Sequence, residues 1–296
     1  MALAPRVVLV HRRTEYEELL DRHGTRGQAD FFLTSRGRSI VEVEQRSTAQ
    51  KQHILDVRRT IPPDTRFAQV ERSELDRYQF SPEDILVVVG QDGLVANVAK
   101  YVDGNLVVGI NPEPDRNPGV LVRYSVDQSA ALIRAVLRGQ VRYEERSMVQ
   151  ANLDDGQHIV ALNEIYIGDR GHQSSRYTVT LPTGEQERQS SSGVIVSSGT
   201  GSTGWASSLA GDRGLTEHLP RAGAPELIWW IREAWPSQWT GRNYINGILN
   251  PGQSLRFSIE SDTLIAFGDG IETDYLKLTW GQTLTLERSQ RFLRLV

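Results

Sequence analysis

Five consecutive apolar residues, Ile85-Leu86-Val87-Val88-Val89, run directly into the turn Gly90-Gln91-Asp92-Gly93. They read as a strand ending in a tight, acidic turn, and a helical pattern from Val95 to Tyr101 follows. The same alternation surrounds them. Val7 to Val10, Phe67 to Val70 and Leu106 to Ile110 have strand character. Thr14 to about His23 and Gln50 to Ile61 have helical character, with Gly24 to Gln28 breaking the first and Pro62-Pro63 ending the second. Strands alternating with helices predict a parallel sheet covered by helices. In such sheets ligands gather at the carboxyl ends of the strands, which is where Asp92 falls.

The texture changes after Ser129 to Leu137, a helical segment closed by Gly139. From there Arg142 to Ala151, Ile159 to Ile167, Arg176 to Leu181, Gly193 to Ser197, Ser254 to Ile259, Thr263 to Phe267, Tyr275 to Leu278 and Thr283 to Leu286 all read as strands. Pro182-Thr183-Gly184 reads as a hairpin turn, and Trp229 to Trp239 shows no clear period. The expected architecture is therefore an α/β domain over 1–127 carrying the Gly-Gln-Asp-Gly turn and a β-rich, substrate-binding domain over 128–268. Residues 269–296 would supply C-terminal strands that can return to the first domain.

The net charge of −4 offers no general basis for binding nucleic acid or an anionic membrane. The chain has no cysteine, which excludes disulfides, thiolate nucleophiles and cysteine metal sites and fits a reducing cytoplasm. The apolar N-terminal run is too short for a signal peptide, and no stretch reaches membrane-span length, so a soluble, cytoplasmic protein is expected. The histidines show no HExxH spacing, and a protein-bound metal is not expected. Neither a Gly-x-Ser-x-Gly elbow nor a P-loop is present.

Several segments carry chemistry. Val194-Ile195-Val196 reads as a buried strand that enters a loop of glycines and hydroxyls from Ser197 to Gly204. Such a loop suits phosphate or ribose, because glycines permit close backbone approach while hydroxyls donate and accept. Gly199-x-Gly201-x-x-Gly204 formally matches a dinucleotide fingerprint. It lies amid strands with no helix expected after it, so the loop reads as a polar cradle or as a plain glycine-rich turn. Asp92 reads either as the cap of the following helix or as a general base for phosphoryl transfer to a hydroxyl. Asn163-Glu164 interrupts an apolar strand; the two side chains are either satisfied at an edge or recognise ribose hydroxyls or a base. Asn111 to Pro118 forms a proline-rich loop at the same sheet edge as Asp92, structural or ligand-binding.

In order, these segments resemble the NAD kinase family, especially its mitochondrial-type branch. Val88 to Leu94 resembles the family's GGDGT strand-turn. Val108 to Asn111 with Pro114-Asp115-Arg116 resembles the next segment, and Leu137 to Gln140 through Glu145-Arg146 the crossover. Ala161-Leu162-Asn163-Glu164 resembles the "LNE" strand, Ser191 to Trp205 the "DG…TPTGSTAY" run, and Gly268-Asp269-Gly270 a late "DG" turn. The resemblance implies an N-terminal α/β domain and a C-terminal β domain, with the active site between them and a homodimeric assembly. It implies ATP with Mg²⁺ as donor and NAD as acceptor. Asp92 would deprotonate the ribose hydroxyl. Asn163, Glu164, Thr200, Gly201, Ser202, Thr203 and Asn111 would bind substrate, and Gly90, Gln91 and Gly93 the donor.

The chain departs from the pattern at several positions. Gln91 and Leu94 replace a glycine and the threonine of GGDGT, and Ser192 stands where many members have an acidic residue. Gly199 replaces a proline, and Gly204-Trp205 replaces Ala-Tyr. Three outcomes follow for the altered donor turn: a kinase making NADP or a positional isomer, a relative acting on another nucleotide, nucleoside or sugar, or a non-catalytic nucleotide-binding regulator.

Overall fold

Residues 5–296 are described by the computed structural model; residues 1–4, where the apolar N-terminal run begins, lie outside them. The chain divides into two units. One extends to Tyr143 and includes Leu295–Val296, and the other is Glu144–Arg294.

The first unit is an α/β layer structure. Its elements are β1 (Arg6–His11), α1 (Glu15–His23), α2 (Arg26–Thr34), α3 (Ile40–Arg59), β2 (Arg66–Glu71), β3 (Ile85–Val89), α4 (Asp92–Ala99), β4 (Leu106–Asn111), the short β5 (Tyr124–Ser125) and α5 (Ser129–Leu137). The strands run in the order β4-β3-β1-β2, all parallel, and β5 pairs parallel with β4. Val7 and Leu9, Val87 and Val89, and Val108 and Ile110 turn one face of the sheet toward Ile54 and Val57 of α3 and Ile133 and Val136 of α5. Burial on both faces explains why β3 is apolar at every position.

Two helical expectations are revised here. The break expected over Gly24 to Gln28 is only two residues wide: Gly24 closes α1 with a positive φ of 77°, and Thr25 already caps α2 by accepting from the Gln28 N–H. Helix α3 begins at Ile40 rather than Gln50. Ile40, Val43, Ser47, Ile54 and Val57 form its buried stripe, and a buried serine hid that period in the sequence.

The second unit contains β6 (Glu144–Leu153), β7 (His158–Ala161), β8 (Glu164–Gly168), β9 (Ser175–Thr180), β10 (Gln186–Ser191), β11 (Gly193–Ser197), α6 (Trp205–Arg213), β12 (Leu227–Arg232), β13 (Asn246–Leu249), β14 (Ser254–Ile259), β15 (Leu264–Gly268), β16 (Tyr275–Leu278) and β17 (Thr283–Leu295). One sheet carries β10-β9-β14-β17 with β6 and β7; the other has the order β13-β12-β11-β8-β15-β16 and is antiparallel throughout. Between them lies a core of Ile165, Ile167, Val194, Val196, Tyr177, Val179, Phe257 and Leu284 with their neighbours. The segment Trp229 to Trp239 lacked a period because β12 is buried on both faces. Trp229 enters the core between the sheets, and Trp230 packs under α6. The turn at Pro182 to Gly184 joins β9 to β10 as expected, with Gly184 at φ 97°.

Among the described residues no helix is long and apolar enough to cross a membrane.

Candidate active site

In the first unit Asp92 occupies the first turn of α4 but does not cap it. The capping position belongs to Gln91, which makes no side-chain cap bond. The Asp92 carboxylate reaches instead to a neighbouring loop. Oδ2 accepts the Val120 N–H at 2.8 Å, and Oδ1 accepts those of Leu121 and Val122 at 2.9 and 3.0 Å. That loop lies against β4 where Gly109 leaves room; a Cβ at 109 would run into the Leu121 carbonyl oxygen. An acceptor position remains on Oδ2, since a carboxylate oxygen can take two donors.

The first turn of α4 is open at Gly93, while Gly90 ahead of it is packed. A Cβ added at Gly93 would meet nothing within 4 Å, whereas one at Gly90 would meet Leu94 Cδ2 at 2.9 Å. Leu94 is buried against that glycine, so an apolar contact occupies its position. Asn111, buried at the end of β4, braces its own loop. Its Nδ2 donates to the Asn117 carbonyl at 2.7 Å, and its Oδ1 accepts the Glu113 N–H at 3.0 Å.

In the second unit the expected strand over Ile159 to Ile167 is broken between β7 and β8 at Leu162-Asn163. The break is built by two residues. Asp269, with a left-handed backbone (φ 55°), accepts the Leu162 N–H at 3.0 Å and the Asn163 N–H at 2.7 Å through its carboxylate. Ser198 donates its hydroxyl to the Leu162 carbonyl at 2.5 Å and its N–H to the Asn163 carbonyl at 2.8 Å. The same hydroxyl accepts the Thr200 N–H, tying the hydroxyl loop to the break. Asp269 and Ser198 were not assigned a role from sequence; the one signal for Asp269 was the Gly-Asp-Gly turn.

With their backbone so held, Asn163 and Glu164 carry side chains that make no hydrogen bond or ion pair among the described residues. Glu164 faces Ser197 across the β8–β11 pair. Burial, reinforced by the like charge of Asp269, pushes its carboxyl up to about 7. A half-buried carboxyl with a raised pKa and no ion-pair partner is unfavourable to ionise, and such groups cluster at functional sites.

Thr200 to Thr203 form one turn of 3₁₀ helix after β11. Thr200 is buried and donates to the Ala222 carbonyl at 3.4 Å; Thr203 Oγ1 is 3.5 Å from the Thr200 carbonyl. Ser202 Oγ is buried with no hydrogen-bond partner among the described residues, whereas the Asn163 and Glu164 side chains are half-buried and open to water. Gly201 is required here, since a Cβ would lie 2.5 Å from the Asn163 carbonyl oxygen. Contrary to expectation a helix, α6, does follow this loop. The dinucleotide fingerprint is still absent, because β11 pairs antiparallel with both β8 and β12 and no βαβ unit forms. Among the described residues no three His, Cys, Asp or Glu gather as a metal site.

No protein-family model matches the chain. The chain is 27% identical over 254 residues to "NAD kinase 2, mitochondrial" of Homo sapiens, covering 68% of this chain and 57% of the relative. It is 24% identical over 218 residues to "NAD kinase" of Chlorobaculum tepidum, covering 72% and 71%. A shorter match to "NAD kinase" of Methylococcus capsulatus reaches 37% identity over 135 residues, covering 43% of this chain and 46% of that protein. Its curated homologues are NAD kinases. The chain spans a little over half the length of the mitochondrial NAD kinase relative from Homo sapiens.

Gly199, where the NAD kinase pattern resembled in sequence has a proline, has φ −60°, which proline tolerates. Yet a Cβ there would run into the Arg221 carbonyl oxygen. Gly199→Pro is therefore expected to destabilise the protein by at least about 2 kcal/mol through overpacking. Urea unfolding measures this, and a variant as stable as the parent would show that the Arg221 loop yields freely.

Proposed function

We propose that the chain is a phosphotransferase that moves the γ-phosphoryl group of ATP onto a ribose hydroxyl of NAD, forming NADP or its positional isomer. The observation that carries this is the homology to NAD kinases over about two thirds of the chain. Two features support it independently: the buried Ser202 hydroxyl has no partner among the described residues, and the half-buried Asn163 and Glu164 side chains are free to meet a polar ligand.

In this proposal the hydroxyl oxygen attacks the γ-phosphorus as the bond to the ADP oxygen breaks. Asp92 takes the hydroxyl proton on Oδ2, the oxygen that keeps an acceptor position. Asn163 would donate or accept through its free amide. Glu164, near neutrality in its titration, would donate a hydrogen bond as an acid, and Ser202 with Thr200, Gly201 and Thr203 would meet ribose or phosphate. Gly90, Gln91 and Gly93 would line the donor side, where Gly93 leaves space. Magnesium would be carried by the donor's phosphates and supply charge neutralisation there. Asn111 serves this proposal by holding the proline-rich loop in place. A homodimer and a cytoplasmic location, the latter in keeping with a chain lacking cysteine, complete it.

One observation favours a second reading, a non-catalytic nucleotide binder: the Asp92 carboxylate already accepts three backbone N–H groups. The two separate on ADP release. Purified protein with ATP and Mg²⁺ is expected to release ADP only when NAD is added. Release that ignores NAD, or no release while NAD and ATP both raise thermal stability, removes the kinase reading.

A further inference from the structure

We propose that Arg12 is a donor-positioning residue that holds the terminal phosphates of a nucleoside triphosphate. This rests on the triphosphate-donor reading above but not on which acceptor is phosphorylated. In the order β4-β3-β1-β2, the connection from β1 leads to one side and the chain then crosses to β3 on the other. The crevice of such a sheet opens at that reversal, beyond the carboxyl ends of the two strands. The register places His11 opposite Val89, so the next residues to leave the sheet are Arg12 and Gly90, side by side. Arg12 thus stands beside the first glycine of the Gly90–Gly93 turn.

The segment that presents Arg12 is fixed at both ends. Its carbonyl accepts the Gln50 side-chain amide at 3.2 Å. Two residues on, Thr14 is buried, closes a capping box with Glu17, and accepts the Ser47 hydroxyl at 2.9 Å. The two cations of the segment differ in kind. Arg13 is neutralised by Asp21. Arg12, partly buried, makes no ion pair and no side-chain hydrogen bond among the described residues. A guanidinium kept partly desolvated without a counter-charge is unfavourable unless an anion completes it. Its planar fork of donors matches phosphate oxygens.

The neighbouring turn supplies a reason for the chain to need such a cation. Gln91 carries a side chain where a glycine would let the backbone come close to phosphate. Charge delivered from β1 offsets contacts that this turn does not make. Gly93, open above its Cα, leaves the approach free.

The test is calorimetric titration of Mg²⁺ with a non-hydrolysable ATP analogue into the wild type, Arg12→Gln and Arg12→Lys, with AMP and NAD titrated in parallel. Arg12→Gln is expected to weaken triphosphate binding at least tenfold and Arg12→Lys by less. AMP and NAD affinities should stay within about twofold, and the melting temperature should not move. Triphosphate binding by Arg12→Gln equal to wild type overturns the proposal, as does a wild type that binds no triphosphate. An equal loss for AMP places Arg12 away from the terminal phosphates and overturns it too. The two readings fail separately. Phosphorylated NAD made with undiminished donor affinity in Arg12→Gln sinks the Arg12 assignment alone. A tenfold loss of triphosphate binding in a protein that phosphorylates no NAD sinks the acceptor assignment alone.

Discussion

Replacing Asp92 with Asn lowers turnover about 10²–10⁴-fold, the usual worth of a positioned general base, and weakens the fold in the same step. The second effect follows from the three N–H groups on the carboxylate. An Asn oxygen can keep the Leu121 and Val122 donors, but its NH₂ then faces the Val120 N–H, donor against donor. Val120 is exposed enough for water to take over, so the cost is about 1 kcal/mol. Asp92→Ala leaves all three donors without the carboxylate and should cost more. Steady-state kinetics with urea unfolding on the same preparations reads both effects. A variant that loses stability while keeping turnover within tenfold makes Asp92 an anchor of the 120–122 loop and not the base. The reverse result would mean that the loop does not depend on it.

Glu164→Gln should stabilise the protein at pH 8 by up to about 3 kcal/mol, and the gain should vanish near pH 4. The sign follows from the titration. Burial and Asp269 raise the folded carboxyl from its ordinary 4.5 to about 7, so the folded state holds a proton that the unfolded chain has already lost between those values. Wild-type stability from this group therefore falls as pH rises through that window and stays low above it, at about 1.4 kcal/mol per pH unit. Gln is neutral throughout and escapes the loss. Urea unfolding of both proteins from pH 4 to 8 gives the difference curve. A flat difference would mean that Glu164 ionises freely. The same variant should bind NAD less well if the acid serves as donor or acceptor there, a cost of function for stability.

The parts of the fold legible in sequence are those where burial leaves a period or a punctuation mark. Strand β3 and the turn after it, the Pro182–Gly184 hairpin, and strands β14 and β16 all stand where their residues suggested. The ambiguous cases have one physical cause each. The first half of helix α3 was not legible because a buried Ser47, bonded to Thr14, takes a core position and hides the apolar period. Helix α6, with Ser207, Ser208 and Gly211 in its length, has weak helical propensity and is held by packing of Ala206, Leu209 and Ala210 on Ile195 and Trp230. Strand β12 is two-faced and cannot alternate.

The candidate site divides the same way. Asn163 and Glu164 stood out because polar residues in an apolar strand need a reason. What makes them available, the Asp269 carboxylate and the Ser198 hydroxyl gripping the backbone beneath them, comes from distant positions in the chain and left only a short turn motif as its trace. The bond from Asp92 to the 120–122 loop is likewise non-local, and an aspartate opening a helix reads most simply as a cap.

The central claim is tested most directly by incubating the purified protein with ATP, Mg²⁺ and NAD and resolving the products by mass. The expected product is NAD carrying one added phosphate, formed together with ADP, whichever ribose hydroxyl receives it. NAD recovered unmodified, in a preparation whose melting temperature rises with both NAD and ATP, would contradict phosphoryl transfer and leave the chain a nucleotide-binding protein.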